Sequence, residues 1–204
     1  MPRQVDHTER RRQIAEAVWR LAARSGLEDV SLRQVAAEAG LPPRLLQYYF
    51  GTRDDLLLGA LEILNADAQQ HALGRISALG SSPPLHSVLR CVLLELLPLD
   101  PERHALHLVY AAYFIRMLSE PGLRAAAAGA EPAVEVLVGE LIMQAQQQGL
   151  ADAALDANDE ADLLVAAALG LQAQVLLEQQ SSERAVELID RQLQRIFRVD
   201  STPS

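Results

Sequence analysis

The chain has 204 residues, a length that suits one ordinary domain or two small ones. Half of its residues are hydrophobic but only 4% are aromatic, and leucine (36) and alanine (32) together make up a third of the sequence. Leucine and alanine are strong helix formers, whereas the β-branched and aromatic residues that favour strands are scarce. The composition therefore predicts an all-α protein and excludes collagen-like, disordered and disulfide-stabilised classes.

The net charge of −9 is unevenly distributed along the chain. Residues 1–53 carry a net charge of +3, whereas residues 54–204 carry −12. Phosphate binding needs only a local positive surface, so the acidic total does not exclude a DNA partner. All 18 cationic side chains are arginines, whose guanidinium groups can bind phosphate in a bidentate manner.

Several features bear on where the protein acts. The single cysteine, Cys91, excludes an internal disulfide framework and fits a reducing compartment. The sequence shows no charged-then-apolar leader, so we expect a cytoplasmic protein. The longest apolar run, residues 163–171, is too short to span a bilayer, and no membrane partner is expected.

The N-terminal helices are indicated by spacing and by capping residues. Apolar residues at helical spacing predict a first helix over residues 8–24, after a loose arm at 1–7. Arg10, Arg11 and Arg12 then fall in its first turn, either as a solvated basic turn or as phosphate contacts. Ser31 and Gln34 form a capping box that predicts a helix over 32–39.

A glycine turn and a second short helix complete a helix–turn–helix. Gly40 ends the helix over 32–39, and Pro43 suits the first turn of a helix that reaches Tyr48. Six further helices are predicted over residues 52–73, 85–97, 100–119, 132–148, 158–179 and from about 182 onward. The total is about nine helices and no strands, divided into residues 1–53 and 54–204.

Residues 31–57 combine several features at fixed spacing: the hydroxyl cap Ser31, the run Val-Ala-Ala-Glu-Ala-Gly-Leu, an aromatic run that ends at Phe50, then Arg53 and a Leu-Leu pair. This pattern resembles the N-terminal DNA-binding domain of the TetR family of bacterial transcriptional regulators. Residues 96–114 are loosely similar to the C-terminal domain of its choline-responsive, BetI-type members. The resemblance implies an N-terminal three-helix DNA-binding domain followed by a larger ligand-binding and dimerisation domain.

The resemblance also implies a function. We expect a ligand-responsive repressor that binds a palindromic DNA operator as a homodimer and is released by an unidentified small-molecule effector. No metal or other cofactor is expected. Enzymes are disfavoured because the sequence contains no nucleophile elbow, phosphate loop, dinucleotide fingerprint or zinc-type cysteine cluster. The alternative that stays open is a helical interaction scaffold with a degenerate helix–turn–helix.

Two side chains of the predicted recognition helix suit base edges. Arg44 matches the O6 and N7 acceptors of guanine, and Gln47 matches the N6 and N7 groups of adenine. The family resemblance adds further contacts to bases or backbone, at Ser31, Arg33, Pro43, Tyr48, Tyr49 and Arg53. The sequence departs from the family pattern at Gln47, at Tyr49 and at Pro42-Pro43, where prolines remove two N–H donors to phosphate.

The acidic part provides candidates for sensing and for dimerisation. Aromatic residues, methionines and a few polar groups predict an effector pocket formed by Cys91, His107, Tyr110, Tyr113, Phe114, Met117, Met143 and Gln144, with ordinary core packing as the alternative. The last two helices predict a dimer interface formed by Leu164, Ala167, Leu171, Val175, Leu188 and Gln192. The alternative for residues 163–171 is a central core helix.

Overall fold

The computed structural model describes residues 3–28, 30–127 and 133–197. Over these residues the chain forms ten α-helices and no strand, apart from one isolated β-bridge between Ala151 and Phe197. The helices are α1 (Arg3–Ser25), α2 (Leu32–Ala39), α3 (Pro43–Phe50), α4 (Arg53–Ala78), α5 (Leu85–Glu95), α6 (Pro101–Ser119), α7 (Pro121–Ala127), α8 (Ala133–Gln147), α9 (Ala157–Leu176) and α10 (Ser182–Ile196). The predicted all-α class is confirmed.

Local chemistry explains why α2 and α4 begin where they do. The Ser31 hydroxyl accepts a hydrogen bond from the Gln34 amide at 3.3 Å, and the Gln34 side chain accepts one from the Ser31 amide at 2.9 Å. Thr52 and Asp55 make the same reciprocal pair at the start of α4. Bonds from Thr52 lower the pKa of the Asp55 carboxyl. These caps satisfy N–H groups that have no partner within the helix.

Three elements differ clearly from the prediction. Helix α4 continues to Ala78 rather than ending near residue 73. Helix α1 begins at Arg3 rather than at residue 8, so residues 3–7 are helical and the arginines at 10–12 lie beyond the first turn. Helix α7 was not predicted, because Pro121-Gly122 was interpreted only as the end of α6. Proline fits the first turn of a helix, where its missing N–H needs no partner, so Pro121 begins α7.

The first of two compact units comprises the described parts of residues 1–71 and 108–129. Its core contains apolar side chains from α1, α3, α4 and α6, including the fully buried Ile14, Leu46 and Leu56. The C-terminal half of α6 belongs to this unit. Its contribution includes Tyr113, which is 1% exposed and donates a hydrogen bond to the Leu57 carbonyl at 2.8 Å.

The second unit comprises residues 72–107 and the described part of 130–204. Side chains from α5, α8, α9 and α10 form one hydrophobic core, with Leu93, Ile142 and Ile189 fully buried. Helix α9 carries a buried row of Ala161, Leu164, Val165 and Ala168 towards this core. The predicted division of the chain at residue 53 into a DNA-binding domain and an effector domain stays a prediction.

Candidate nucleic-acid interface

Helix α3 has one buried face and one polar, exposed face. Leu46 and Phe50 are 0% and 7% exposed and fix the inner face. Arg44 and Gln47 are exposed, and Tyr48 is 75% exposed. The long hydrogen-bonding side chains therefore point away from the protein, as a helix that reads base edges in a major groove requires.

Arg11 of α1 fixes the end of α3. Its Nη1 donates a hydrogen bond to the Tyr49 carbonyl at 2.9 Å, and its guanidinium carbon lies 4.3 Å from the centre of the Phe50 ring. The bond satisfies a carbonyl near the helix C-terminus, and the ring contact is a cation–π interaction. Sequence reasoning placed Arg11 in a solvated or phosphate-binding turn and missed this structural role.

A glycine in α4 allows Phe50 to approach closely. A Cβ atom at Gly59 would lie 2.7 Å from Phe50 Cε1 and 3.0 Å from Arg11 Nη2. Both distances are shorter than ordinary van der Waals contacts. Gly59 therefore sets how near the end of α3 lies to α4. No spacing pattern in the sequence indicated this contact.

The two tyrosines at the end of α3 occupy different environments. Tyr49 is half-buried, and its ring packs edge-on against Tyr48 with 5.1 Å between ring centres. The His7 ring of α1 lies 4.7 Å from Tyr49 on another side. Tyr48 is thus the more accessible phenol, and Tyr49 is held by its aromatic neighbours. The predicted DNA contacts of both tyrosines stay predictions.

The other predicted DNA-binding residues differ in what the fold leaves available. Arg33 and Pro43 are exposed, and Ser31 is half-buried with its hydroxyl in the cap. Arg53 donates to the carbonyls of Val30, Leu27 and Glu28. Its guanidinium therefore ties the segment before α2 to the start of α4. This structural role was not predicted, and the expected backbone contact of Arg53 stays a prediction.

The eight predicted effector residues are divided between the two units. Tyr110, Tyr113, Phe114 and Met117 belong to the first unit. There the Tyr110 hydroxyl donates to Asn65 at 2.9 Å, and burial raises the pKa of Tyr110 to about 12. Phe114 is 62% exposed. The phenols of Tyr110 and Tyr113 are thus bonded within this unit, which is the ordinary packing considered as the alternative.

The remaining four residues belong to the second unit. His107 is buried, and its Nε2 lies 3.1 Å from the Glu95 carbonyl, an acceptor that requires a proton on this nitrogen. Burial lowers the pKa of His107, against the opposing effect of its backbone hydrogen bonds. Met143 and Gln144 are exposed, whereas Cys91 is half-buried and lines a cavity. Cys91 thus lies at the wall of a cavity in this unit.

The six predicted dimer residues do not form one exposed face. Leu164 is 3% exposed and belongs to the chain's own core, so this placement corrects its assignment to a dimer interface. Leu171 and Val175 are half-buried against the same core, and Leu188 is also half-buried. Ala167 and Gln192 are exposed. The period of the apolar residues did not distinguish the inner face of α9 from its outer face.

The outer face of α9 carries a separate apolar row. Leu163 is 65% exposed, and the exposed Ala166, Ala167 and Gly170 follow it at helical spacing. Leu177, the residue directly after α9, is also 65% exposed. No helix in the described part of the chain is long and apolar enough to cross a membrane. The described residues also contain no group of three or more potential metal ligands.

Two family models match the sequence. The model described as "Bacterial regulatory proteins, tetR family" matches residues 14–60, and "BetI-type transcriptional repressor, C-terminal" matches residues 86–198, more than half of the chain. The HTH-type transcriptional regulator PksA of Bacillus subtilis (strain 168) is 41% identical over 104 residues, which are 50% of this chain and 48% of PksA. The regulator BetI of Brucella anthropi is 38% identical over 69 residues, 32% of this chain and 36% of BetI. The chain thus matches about half of PksA's length and less of BetI's.

Solved structures match over most of the chain. A TetR-family transcriptional regulator from Rhodococcus sp. superposes with a TM-score of 0.83 and 28% identity, over 92% of this chain and 98% of that one. A transcriptional regulator from Saccharomonospora viridis, solved in complex with choline, gives a TM-score of 0.79 and 24% identity, over 94% and 100% of the two chains. The second likeness concerns the fold. The proteins matched are transcriptional regulators rather than enzymes, which confirms the predicted class.

Proposed function

Because the chain belongs to the TetR family of bacterial regulatory proteins, and is therefore a DNA-binding transcriptional regulator, we propose that it represses transcription from a palindromic operator as a homodimer and is released by a small-molecule effector. The observation that supports this most is the polar, exposed face of α3, with Arg44, Gln47 and Tyr48 directed outward. Family membership favours this function over a scaffold with a degenerate helix–turn–helix.

In this proposal α3 enters the major groove. Arg44 and Gln47 read base edges, and Arg33 reaches a base from α2. Tyr48 and Tyr49 contact phosphates at the end of α3. Arg11 and Arg53 support the same surface from behind, through the carbonyls of Tyr49, Val30 and Leu27. Residues 1–53 would act as the DNA-binding domain and residues 54–204 as the effector and dimerisation domain.

Dimerisation would use the outer apolar row of α9. Leu163, Ala167 and Gly170 are exposed on one face, and small residues between the leucines allow two helices to approach closely. A two-fold symmetric dimer would place its recognition helices in half-sites about 34–36 Å apart, or a multiple of that distance. The operator should therefore be a palindrome. We also propose that the repressor acts in the cytoplasm.

Selection of bound sequences from a random DNA pool tests this function. The wild-type protein should enrich a palindromic consensus. Raising the salt concentration should weaken binding with a log–log slope of about −0.9 per neutralised phosphate. The Arg44→Ala and Gln47→Ala variants should each lose base preference in the selected consensus, at different positions. If the folded, dimeric protein enriched no sequence at either salt concentration, the repressor proposal would be wrong.

A further inference from the structure

The second unit contains a cavity of about 290 Å³ between the end of α4, helix α5 and the start of α6. Three arginines line it: Arg75, Arg90 and Arg103. Glu95 is the one carboxylate among its lining residues. This concentration of guanidinium groups is unexpected in a part of the sequence that carries a charge of −12 over residues 54–204. The lining residues therefore carry three positive charges and one negative charge, while Asp100 and Asp190, which pair with lining arginines, do not line the cavity.

Ion pairs hold these guanidinium groups in place. Arg90 binds both Asp190 oxygens, at 2.5 and 3.1 Å, through Nε and Nη2. Arg103 binds Asp100 through Nε at 2.7 Å and the Leu94 carbonyl through Nη1 at 3.1 Å. Arg90 Nη1 and Arg103 Nη2 make no hydrogen bond to any residue in the described ranges. Each arginine is thus oriented by some of its five N–H donors while others stay available.

Glu95 is the carboxylate that meets the arginines at the cavity wall, and with Asp100 and Asp190 it makes three carboxylates paired with three guanidinium groups. Its carboxylate pairs with Arg75 and lies 3.5 Å from Arg103 Nη1. Glu95 and Arg103 are 17% and 15% exposed at their side chains, so this pair is largely removed from solvent. A partly desolvated guanidinium group binds an incoming anion more strongly than an exposed one does.

The remaining lining residues determine what kind of non-charged group fits beside the arginines. Leu79, Leu94 and Leu99 supply aliphatic walls, and Cys91 adds its thiol. The lining residues include no aromatic ring, so the cation–π contacts that hold quaternary ammonium groups are missing from this wall. We propose that this cavity binds the effector and that the effector is a small aliphatic carboxylate. This assignment rests on the proposed effector-released repressor and names the effector's chemical class.

Cys91 provides a direct reporter because it is the one cysteine in the sequence and lines the cavity. A neutral maleimide labels Cys91 in the full-length protein. The labelling rate is measured in the presence of octanoate, 1-octanol or choline. Burial raises the pKa of the Cys91 thiol, so labelling is run at about pH 8 to supply thiolate. Saturating octanoate should slow labelling about fivefold or more because it covers the thiol. The alcohol of equal length and choline should leave the rate unchanged.

Arginine variants test the charge recognition. Arg90→Gln should weaken octanoate binding about tenfold, since it removes a charge-assisted bond. Arg184→Gln removes an ion-paired arginine of α10 that does not line the cavity and should bind octanoate like wild type. Arg90→Lys keeps the charge but loses the planar pair of donors, so we expect an intermediate affinity and a retained fold.

The outcomes separate this inference from the proposed function. Equal protection by octanol and octanoate, or protection by choline alone, would overturn the carboxylate assignment. So would failure of butanoate, hexanoate, octanoate and decanoate to protect Cys91. Labelling involves no DNA, whereas operator selection involves no octanoate. A protein that selects an operator but is not protected refutes only the effector assignment. A protein that is protected but selects no operator refutes the repressor proposal, and the cavity is then a carboxylate site without an effector role.

Discussion

At the scale of single residues, the proposed base recognition depends most directly on Arg44. It is exposed on α3 and suits the acceptors of guanine. We expect Arg44→Ala to weaken binding to the selected operator by roughly 1–3 kcal/mol and to relax preference at one base pair. Gel-shift titrations with the operator and with single-position variants measure both effects. Arg124→Ala removes an exposed arginine from α7 and should leave operator affinity unchanged. If both variants lost the same amount of operator affinity, Arg44 would be excluded as a base reader.

The buried His107 predicts that the stability of the protein depends on pH. Burial lowers its pKa in the folded state, so the unfolded chain binds more protons as pH falls through its ordinary pKa of about 6.5. The stabilisation that comes from keeping His107 neutral is fully present above that pH and is lost as the pH falls below it. We expect the free energy of unfolding to fall less steeply between pH 7.5 and 5.5, roughly the histidine range, in His107→Gln than in wild type.

Urea unfolding at several pH values measures this difference. His104→Gln changes an exposed histidine on the same helix and should keep the wild-type pH dependence. A His107→Gln profile parallel to that of wild type would show that another group causes the loss of stability.

The residues that sequence reasoning identified correctly act over short distances along the chain. The Ser31–Gln34 cap joins positions three residues apart, so spacing alone predicts it. Arg11 and Arg53 instead bind carbonyls that lie 38 and 23–26 residues away. Their partners depend on how α1, α3 and α4 pack together. An arginine in a basic run gives no local signal that separates a phosphate contact from a structural one.

At the scale of elements, the contact between α3 and α4 depends on Gly59. An added Cβ would lie 2.7 and 2.9 Å from Phe50 ring carbons, so the ring and the end of α3 must shift. We expect Gly59→Ala to destabilise the protein, because overpacking of about 1–3 kcal/mol exceeds the gain in helix propensity of roughly 1 kcal/mol. Chemical denaturation measures the stability. Operator affinity should fall as well, since Phe50 anchors the proposed recognition helix.

Gly74→Ala is the matched control on the same helix. Nothing lies within 4 Å of its added Cβ, and the residue is exposed. This substitution should therefore stabilise the protein by roughly 0.5–1 kcal/mol through helix propensity alone. A Gly59→Ala protein as stable as Gly74→Ala would mean that α3 and α4 do not need this close contact.

The helix boundaries show the same difference between local sequence signals and long-range packing. Helix α2 has the predicted bounds because Ser31 caps it and Gly40 ends it in the left-handed region, with φ at 67°. Helix α1 extends five residues earlier than predicted, over a segment with no apolar period to mark it. Helix α7 has only seven residues and begins at a proline that also marks the end of α6. The spacing of apolar residues does not reveal short or polar helices, because these depend on packing against other elements.

At the scale of the whole molecule, family membership was readable from the sequence while the assembly surface was not. Leu163 is 65% exposed and Leu164 is 3% exposed, although both lie in one apolar run. The same run serves the chain's own core on one face and leaves an apolar row on the other. Hydrophobic residues signal burial without stating whether the partner is the same chain or a second copy. The predicted set therefore mixed core and surface residues.

The outer row of α9 allows a direct test of the proposed dimer. We expect Ala167→Arg to convert the protein to monomers in sedimentation experiments, because two arginines would meet near the symmetry axis without partners. The monomer should bind a single half-site more weakly than the dimer binds the full operator, since the two readers no longer share an effective concentration. Ala154→Arg makes the same change at an exposed loop position and should stay dimeric. Ala167 is a better position than Leu171, because Leu171 also packs against the core, where a charge would destabilise the monomer itself. A dimeric Ala167→Arg protein would place the interface elsewhere on the molecule.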